Sequence, residues 1–117
     1  MITSLLILNL WMSILAEAAD QGPRGMTAVA CVVRNRLEKG MGTGLVAANR
    51  KDLKAFCKNQ GPSNIAMAKK IVQDVFSGKQ KDITNGAIFF ESTDYPIPAW
   101  AKGKKVVFKY KKHIFYR

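Results

Sequence analysis

Uncharged residues come first along this chain and charge comes late. Residues 1–16, MITSLLILNLWMSILA, carry no charge at all. The apolar stretch falls short of the ~20 residues that a membrane span needs. A secretory leader is one reading, with Ala16-Glu17-Ala18 as a small-x-small cleavage site. Against it, no Lys or Arg precedes the run, and Asn9 and Trp11 interrupt its middle. The reading that fits better is a core helix, apolar on nearly every face because it is buried on nearly every face. Glu17 then stands at the end of a buried helix, where desolvation disfavours the charged form and raises the pKa.

Gln21-Gly22-Pro23 reads as a turn that opens a second helix over residues 24–39. Met26, Val29, Ala30, Val33 and Leu37 recur there at three- and four-residue spacing, on one face. Gly25, Ala28 and Ala30 are small enough for close packing on a neighbour. Gly40, Gly42 and Gly44 end the helix. Residues 40–63 are basic and glycine-punctuated and read as a long loop, with at most a helical turn at 45–49; loops of this length are usually functional. Gly61-Pro62-Ser63-Asn64 signals another helix start. Ile65, Ala68, Ile71 or Val72, and Val75 carry its apolar stripe, and Gly78 stops it. From residue 85 the period shortens. Residues 86–90, 106–110 and 113–116 read as strands, the last two joined tightly through Lys111-Lys112. Tyr95-Pro96-Ile97-Pro98 is a loop carrying Trp100. Helices followed by a small antiparallel sheet define an α+β fold. The length suits one domain, 1–117.

Composition narrows the chemistry. Hydrophobic residues make up 48% of the chain, enough for a core. Lys and Arg number 19 against 8 acidic residues, a net charge of +11. That excess points to a polyanionic partner: nucleic acid, anionic lipid or a bacterial wall with acidic polymers. The run Lys102, Lys104, Lys105, Lys109, Lys111, Lys112 and Arg117 contains no acid. Such a run is ordinarily a solvated face; here it is also a means of holding an anionic wall or outer-membrane surface. His113 is the one histidine, so no Cys/His set has metal-ligand spacing. It also removes Ser-His and Cys-His sites unless His113 lies beside the nucleophile. No metal or cofactor is expected. Cys31 and Cys57 are too few for a disulfide scaffold, and Cys31 falls in the helix pattern as a small buried residue.

Ala16-Glu17-Ala18, Gly25 and Ala28-Val29-Ala30-Cys31-Val32-Val33-Arg34-Asn35-Arg36 form a Glu-Ala pair, a small-residue helix and an Asn-Arg helix end. Phe56, Asn85-Gly86-Ala87-Ile88-Phe89-Phe90 and Lys112-His113-Ile114-Phe115-Tyr116 add a loop phenylalanine, a Gly-Ala-aromatic strand and a closing His-x-Phe-Tyr strand. In this order and spacing they resemble the signature of the SleB/CwlJ cell wall hydrolases. The chain departs from the family where an Arg-Gly-Glu commonly follows the Glu-Ala pair. Ala19, Asp20 and Gln21 stand there, so an amide replaces the second carboxylate, and Cys57 replaces a serine.

The resemblance implies a lysozyme-like α+β fold. It implies cleavage of the β-1,4 bond between N-acetylmuramic acid and N-acetylglucosamine, and, as in the spore-cortex members, lytic transglycosylase chemistry with a 1,6-anhydromuramic product. Glycoside cleavage needs an acid still protonated near neutral pH. Read from the residues alone, Glu17 is more simply a surface carboxylate at a helix end; the family match makes it the catalytic candidate. A transglycosylase can dispense with the second carboxylate of the common scheme. Asp20 and Glu91 are the remaining options for that role and each reads more simply as a solvated loop residue, although Glu91 follows the aromatic strand that would border a cleft. Gln60, Phe90, Glu91, Tyr95 and Trp100 are the candidate sugar contacts, with core packing favoured for Phe90 and a sugar platform for Trp100. Asn59 joins Gln60 as a possible hydrogen-bonding partner of N-acetyl groups. Asn35 is expected to fix a helix end or a buried hydrogen bond, and His113 to be a strand residue with structural hydrogen bonds. The expected substrate is the peptidoglycan glycan strand, acted on by a monomer in the bacterial envelope or outside the cell, in a host or phage setting. Muramidase hydrolysis of the same bond is the alternative chemistry. A non-catalytic wall-binding or nucleic-acid-binding module is the alternative class, although nucleic acid is not the expected partner.

Overall fold

The computed structural model describes residues 4–45 and 51–117. Helix α1 spans Ser4–Ala18, and a 3-10 turn, Ala19–Gln21, leads straight into α2, Gly22–Glu38. Helices α3, Lys51–Lys58, and α4, Pro62–Ser77, follow. Strand β1, Phe89–Ser92, is joined through a 3-10 turn at Ala99–Ala101 to β2, Val106–Tyr110, and β3, His113–Tyr116, closes the chain. Helix α1 packs against α2, α3 and α4, and α2 also packs against α4. The result is the expected α+β architecture.

The buried-helix reading of the N-terminus holds. Leu10, Ile14, Leu15 and Ala18 are all buried, and no residue from 9 to 18 is fully exposed. They meet Val29, Val33, Ala68, Val72 and Val75 in one core. Burying a branched aliphatic side chain contributes about 1.5–3 kcal/mol, so this interlock of three helices holds most of the domain together.

Three expectations need correction. Helix α2 begins at Gly22, because Pro23 fits the first helical turn, where a missing N–H costs nothing. The stretch 40–63 is not one loop, since it contains α3. Leu53 and Cys57, four residues apart, point one buried face of this helix into the core. Asp52 in its first turn and Lys58 in its last suit the helix dipole. Of the turn expected at 45–49, only Leu45 lies within the described residues. The first strand is shifted towards the C-terminus. Asn85 and Gly86 have φ of 57° and 80°, which takes them out of extended geometry, and pairing starts at Phe89.

The sheet order is β1-β3-β2, all antiparallel. Phe90 pairs with Phe115 and Phe115 with Phe108, so these three rings share the face that joins the core. Phe115 is fully buried. Phe89, Glu91 and Tyr116 alternate onto the other face. The β2–β3 hairpin turns through Lys111-Lys112, as expected, and is pinned to the start of α2. Lys112 N–H donates to Oε1 of buried Gln21 at 2.9 Å. Gly25 sits one turn on, where an added Cβ would come within 2.2 Å of the Gln21 Cβ and meet the Tyr110 ring. A helix-interior glycine costs about 1 kcal/mol relative to Ala. Here it is what lets α2 seat against the Gln21 side chain that holds the hairpin.

Candidate active site

Glu17 lies in the last turn of α1, between half-buried Ala16 and buried Ala18. Its carboxyl is half-buried and has no hydrogen-bond or ion-pair partner among the described residues. Burial pushes its pKa above the ordinary carboxylate value. The helix C-terminus, carrying partial negative charge, acts in the same direction. Glu17 is thus a carboxyl group whose protonated form the fold favours.

The other acids differ. Asp20 is exposed on the 3-10 turn. Glu91 is a β1 residue and not the solvated loop residue expected, because β1 extends to Ser92. Its Oε1 accepts the Tyr116 hydroxyl, and its Oε2 is buried with no partner among the described residues. Burial, with the Glu91 hydrogen bond adding to it, pushes the Tyr116 phenol up to about 12. Gln21, an amide, is committed to Lys112.

The proposed sugar contacts fall into separate places. Phe90 packs on the inner face, 5.8 Å from Phe115 and 5.3 Å from His113 between ring centres. Trp100 is 44% exposed and packs on the outer face, edge-on to Tyr116 at 5.7 Å and 5.5 Å from Phe89. A cavity of about 300 Å³ at the C-terminal half of α2 is lined by both Phe90 and Trp100. Glu17 does not line it. Arg36, on its wall, lies about 21 Å along α2 from Gly22 at 1.5 Å per residue. Tyr95 is 74% exposed in the β1–β2 connection. Gln60 is half-buried in the α3–α4 turn, its carbonyl accepting from Asn64 Nδ2 at 3.1 Å, while α3 itself packs against α1, which bears Glu17.

His113 departs from expectation. It is buried, but Nδ1 has no hydrogen-bond partner among the described residues. Ring contacts with Phe90 and Phe115 hold it instead. Burial lowers its pKa, against the opposing pull of Asp20 and Asp94, so it is held neutral. Both cysteines are free and buried. Burial lifts the Cys31 thiol to about 11 and raises Cys57, which makes either a poor nucleophile. Among the described residues no group of His, Cys, Asp and Glu side chains could hold a metal ion.

Asp82 organises the turn before β1, a role that no helix or strand period signals. Its Oδ1 accepts from the Thr84 N–H (2.8 Å) and hydroxyl (2.7 Å), and its Oδ2 from the Gly86 N–H (2.8 Å) and Asn35 Nδ2 (3.0 Å). Burial works against its charge, but these donors together hold its pKa below the usual range. Asn35 also donates to the Ala87 carbonyl at 2.9 Å, the buried hydrogen bond expected of it. The Asp-x-Thr-x-Gly spacing was the available signal, since Asp and Thr side chains cap tight turns in this way. Arg36 was likewise seen only as part of a motif. Its Nε donates to the Gly42 carbonyl (2.7 Å) and its Nη1 to Ile88 (2.9 Å), tying the end of α2 to the residue before β1.

An α+β domain with a shielded glutamate at a helix end is the setting for these observations, and the family assignment agrees with it. The Cell Wall Hydrolase family model matches residues 20–116, and the chain belongs to that family of peptidoglycan-cleaving enzymes. The match begins three residues after Glu17. Two solved structures share the fold. The catalytic domain of the germination-specific lytic transglycosylase SleB from Bacillus anthracis aligns with a TM-score of 0.70 and 23% identity, over 99% of this chain and 97% of that one. The catalytic domain of the Bacillus cereus SleB protein aligns with a TM-score of 0.67 and 23% identity, over 95% and 88%. No curated protein matches significantly.

Proposed function

We propose that residues 1–117 form one catalytic domain that cleaves the β-1,4 bond between N-acetylmuramic acid and N-acetylglucosamine, with Glu17 as its single acid–base. The observation that carries this reading is the Glu17 carboxyl, unpartnered among the described residues and raised in pKa by burial. A protonated Glu17 donates to the bridging oxygen as the C1–O bond breaks. The resulting carboxylate then takes the proton of the muramic C6 hydroxyl as that oxygen bonds to C1. The product is a 1,6-anhydromuramic end, no water is consumed, and the glutamate is regenerated as the acid. The remaining acids favour this route over hydrolysis: Gln21 is an amide committed to Lys112, Glu91 is engaged by Tyr116, and Asp20, the other candidate for a second carboxylate, is exposed on the 3-10 turn and not shielded. The SleB domain with the same fold is described as a lytic transglycosylase, which agrees with the proposal. Trp100, Phe90, Tyr95, Gln60 and Glu91 are the proposed contacts along the glycan strand. The basic run from Lys102 to Arg117 is proposed to hold the anionic wall.

Glu17→Gln tests the assignment. Positioned acid–base catalysis is worth about 10²–10⁴-fold, so turbidity loss of purified sacculi should slow by that factor while the variant still sediments with them. Clearing at the wild-type rate would remove Glu17 from the mechanism.

A further inference from the structure

Two cations share one aromatic ring beside the Phe90–Trp100 cavity. The Arg36 guanidinium carbon lies 5.5 Å from the Phe89 ring centre and Lys104 Nζ lies 4.3 Å from it. Each gains from the ring's negative face, and the two like charges repel each other across it within the ~10 Å screening length of a 0.1 M salt solution. Neither is in an ion pair among the described residues. Glu91, the acid that β1 places on that sheet face, is taken by Tyr116. Arg36 spends Nε and Nη1 on the Gly42 and Ile88 carbonyls, and among the described residues its Nη2 edge has no acceptor. The approach to that edge is kept open by Gly44. A Cβ there would come within 3.1 Å of the guanidinium, and its φ of 74° disfavours any side chain. Val32, Thr43 and Trp100 complete the cavity wall.

A fixed guanidinium edge and an apolar wall, with a second cation held on the Phe89 ring that forms part of that wall, make a receptor for a carboxylate carried on a small apolar body. The proposed N-acetylglucosaminyl sugars are neutral, whereas the peptide stems borne by muramic acid carry free carboxylates. The geometry points to this cavity as a subsite for the carboxylates of the peptide stem, away from the bond that is cut. This assignment rests on the reading that the substrate is peptidoglycan, and it gives Trp100 a stem to cover as well as a sugar.

The test uses the Glu17→Gln protein, so that turnover is suppressed, and three probes: a synthetic stem tetrapeptide, the same peptide with every carboxylate amidated, and a neutral N-acetylglucosamine oligomer. The free peptide is expected to shift the Trp100 indole N–H and the amide signals of Thr43, Gly44 and Phe89. The amidated peptide should bind at least tenfold more weakly, and Lys104→Glu should cut affinity for the free peptide at least tenfold with the rest of the spectrum unchanged, since the Lys104 side chain makes no hydrogen bond among the described residues. Equal binding of the two peptides, or shifts confined to other residues, overturns the assignment. A neutral oligomer that shifts the Thr43 and Gly44 amides as strongly as the peptide does also overturns it and makes the cavity a sugar subsite. Failure of the functional reading shows separately, as wild-type protein that leaves purified sacculi intact.

Discussion

Glu17 should leave a signature in stability as well as in rate. Its folded-state pKa is raised, so folding favours the neutral carboxyl. That contribution is complete below the unfolded-state pKa, near the ordinary value of 4.5, and is lost as pH rises through the higher folded value. Glu17→Gln removes the titration. The variant should therefore gain stability over the wild type as pH goes from 4 to 7.5, read from denaturant midpoints at both pH values. A difference that does not change with pH would mean that the carboxyl is not shielded. The position of this residue could be read in advance, because an uncharged run of that length ending in Glu implies a buried helix with a carboxylate at its end. Its partners could not. Glu91 was misplaced because strand limits depend on where a turn releases the chain, and Asp82 sets that limit through four contacts, one of them from Asn35, 47 positions away.

At the scale of elements, the turn around Asp82 connects α2 to the sheet. Replacing Asp82 with Ala leaves the Thr84, Gly86 and Asn35 donors to water or to nothing. Hydrogen bonds to a charged group are worth about 1.5–3 kcal/mol each, and partial exposure offsets much of their sum, so the expected cost is about 2–3 kcal/mol in urea unfolding. The wild-type advantage is present above the unfolded aspartate pKa, near 3.8, and disappears as pH falls through the lower folded value. An unchanged midpoint at pH 7 would contradict this role. The helices show which signals survive in sequence. Helices α2 and α4 were legible from long apolar stripes with Pro and Gly at their ends. Helix α3 was not, because its eight residues offer two buried positions, Leu53 and Cys57, among basic neighbours. Its burial comes from packing against α1, a tertiary contact that no local period records.

The whole molecule carries +11 charges, and its C-terminal third concentrates them on the hairpin and the β1–β2 connection. Retention on anionic walls should therefore fall steeply with salt, because exposed charges are screened within about 8 Å at 0.15 M ionic strength. Co-sedimentation with sacculi between 50 and 500 mM NaCl should show a loss of binding that Lys105→Glu combined with Arg117→Glu brings to lower salt. Salt-independent retention would assign binding to the cavity and the glycan contacts instead. The central claim, that a glutamate-driven glycosidase works in this fold, is tested most directly by mass spectrometry of sacculi digested with wild-type protein. The account predicts 1,6-anhydromuramic ends that Glu17→Gln does not produce; intact glycan with severed stem peptides would contradict it.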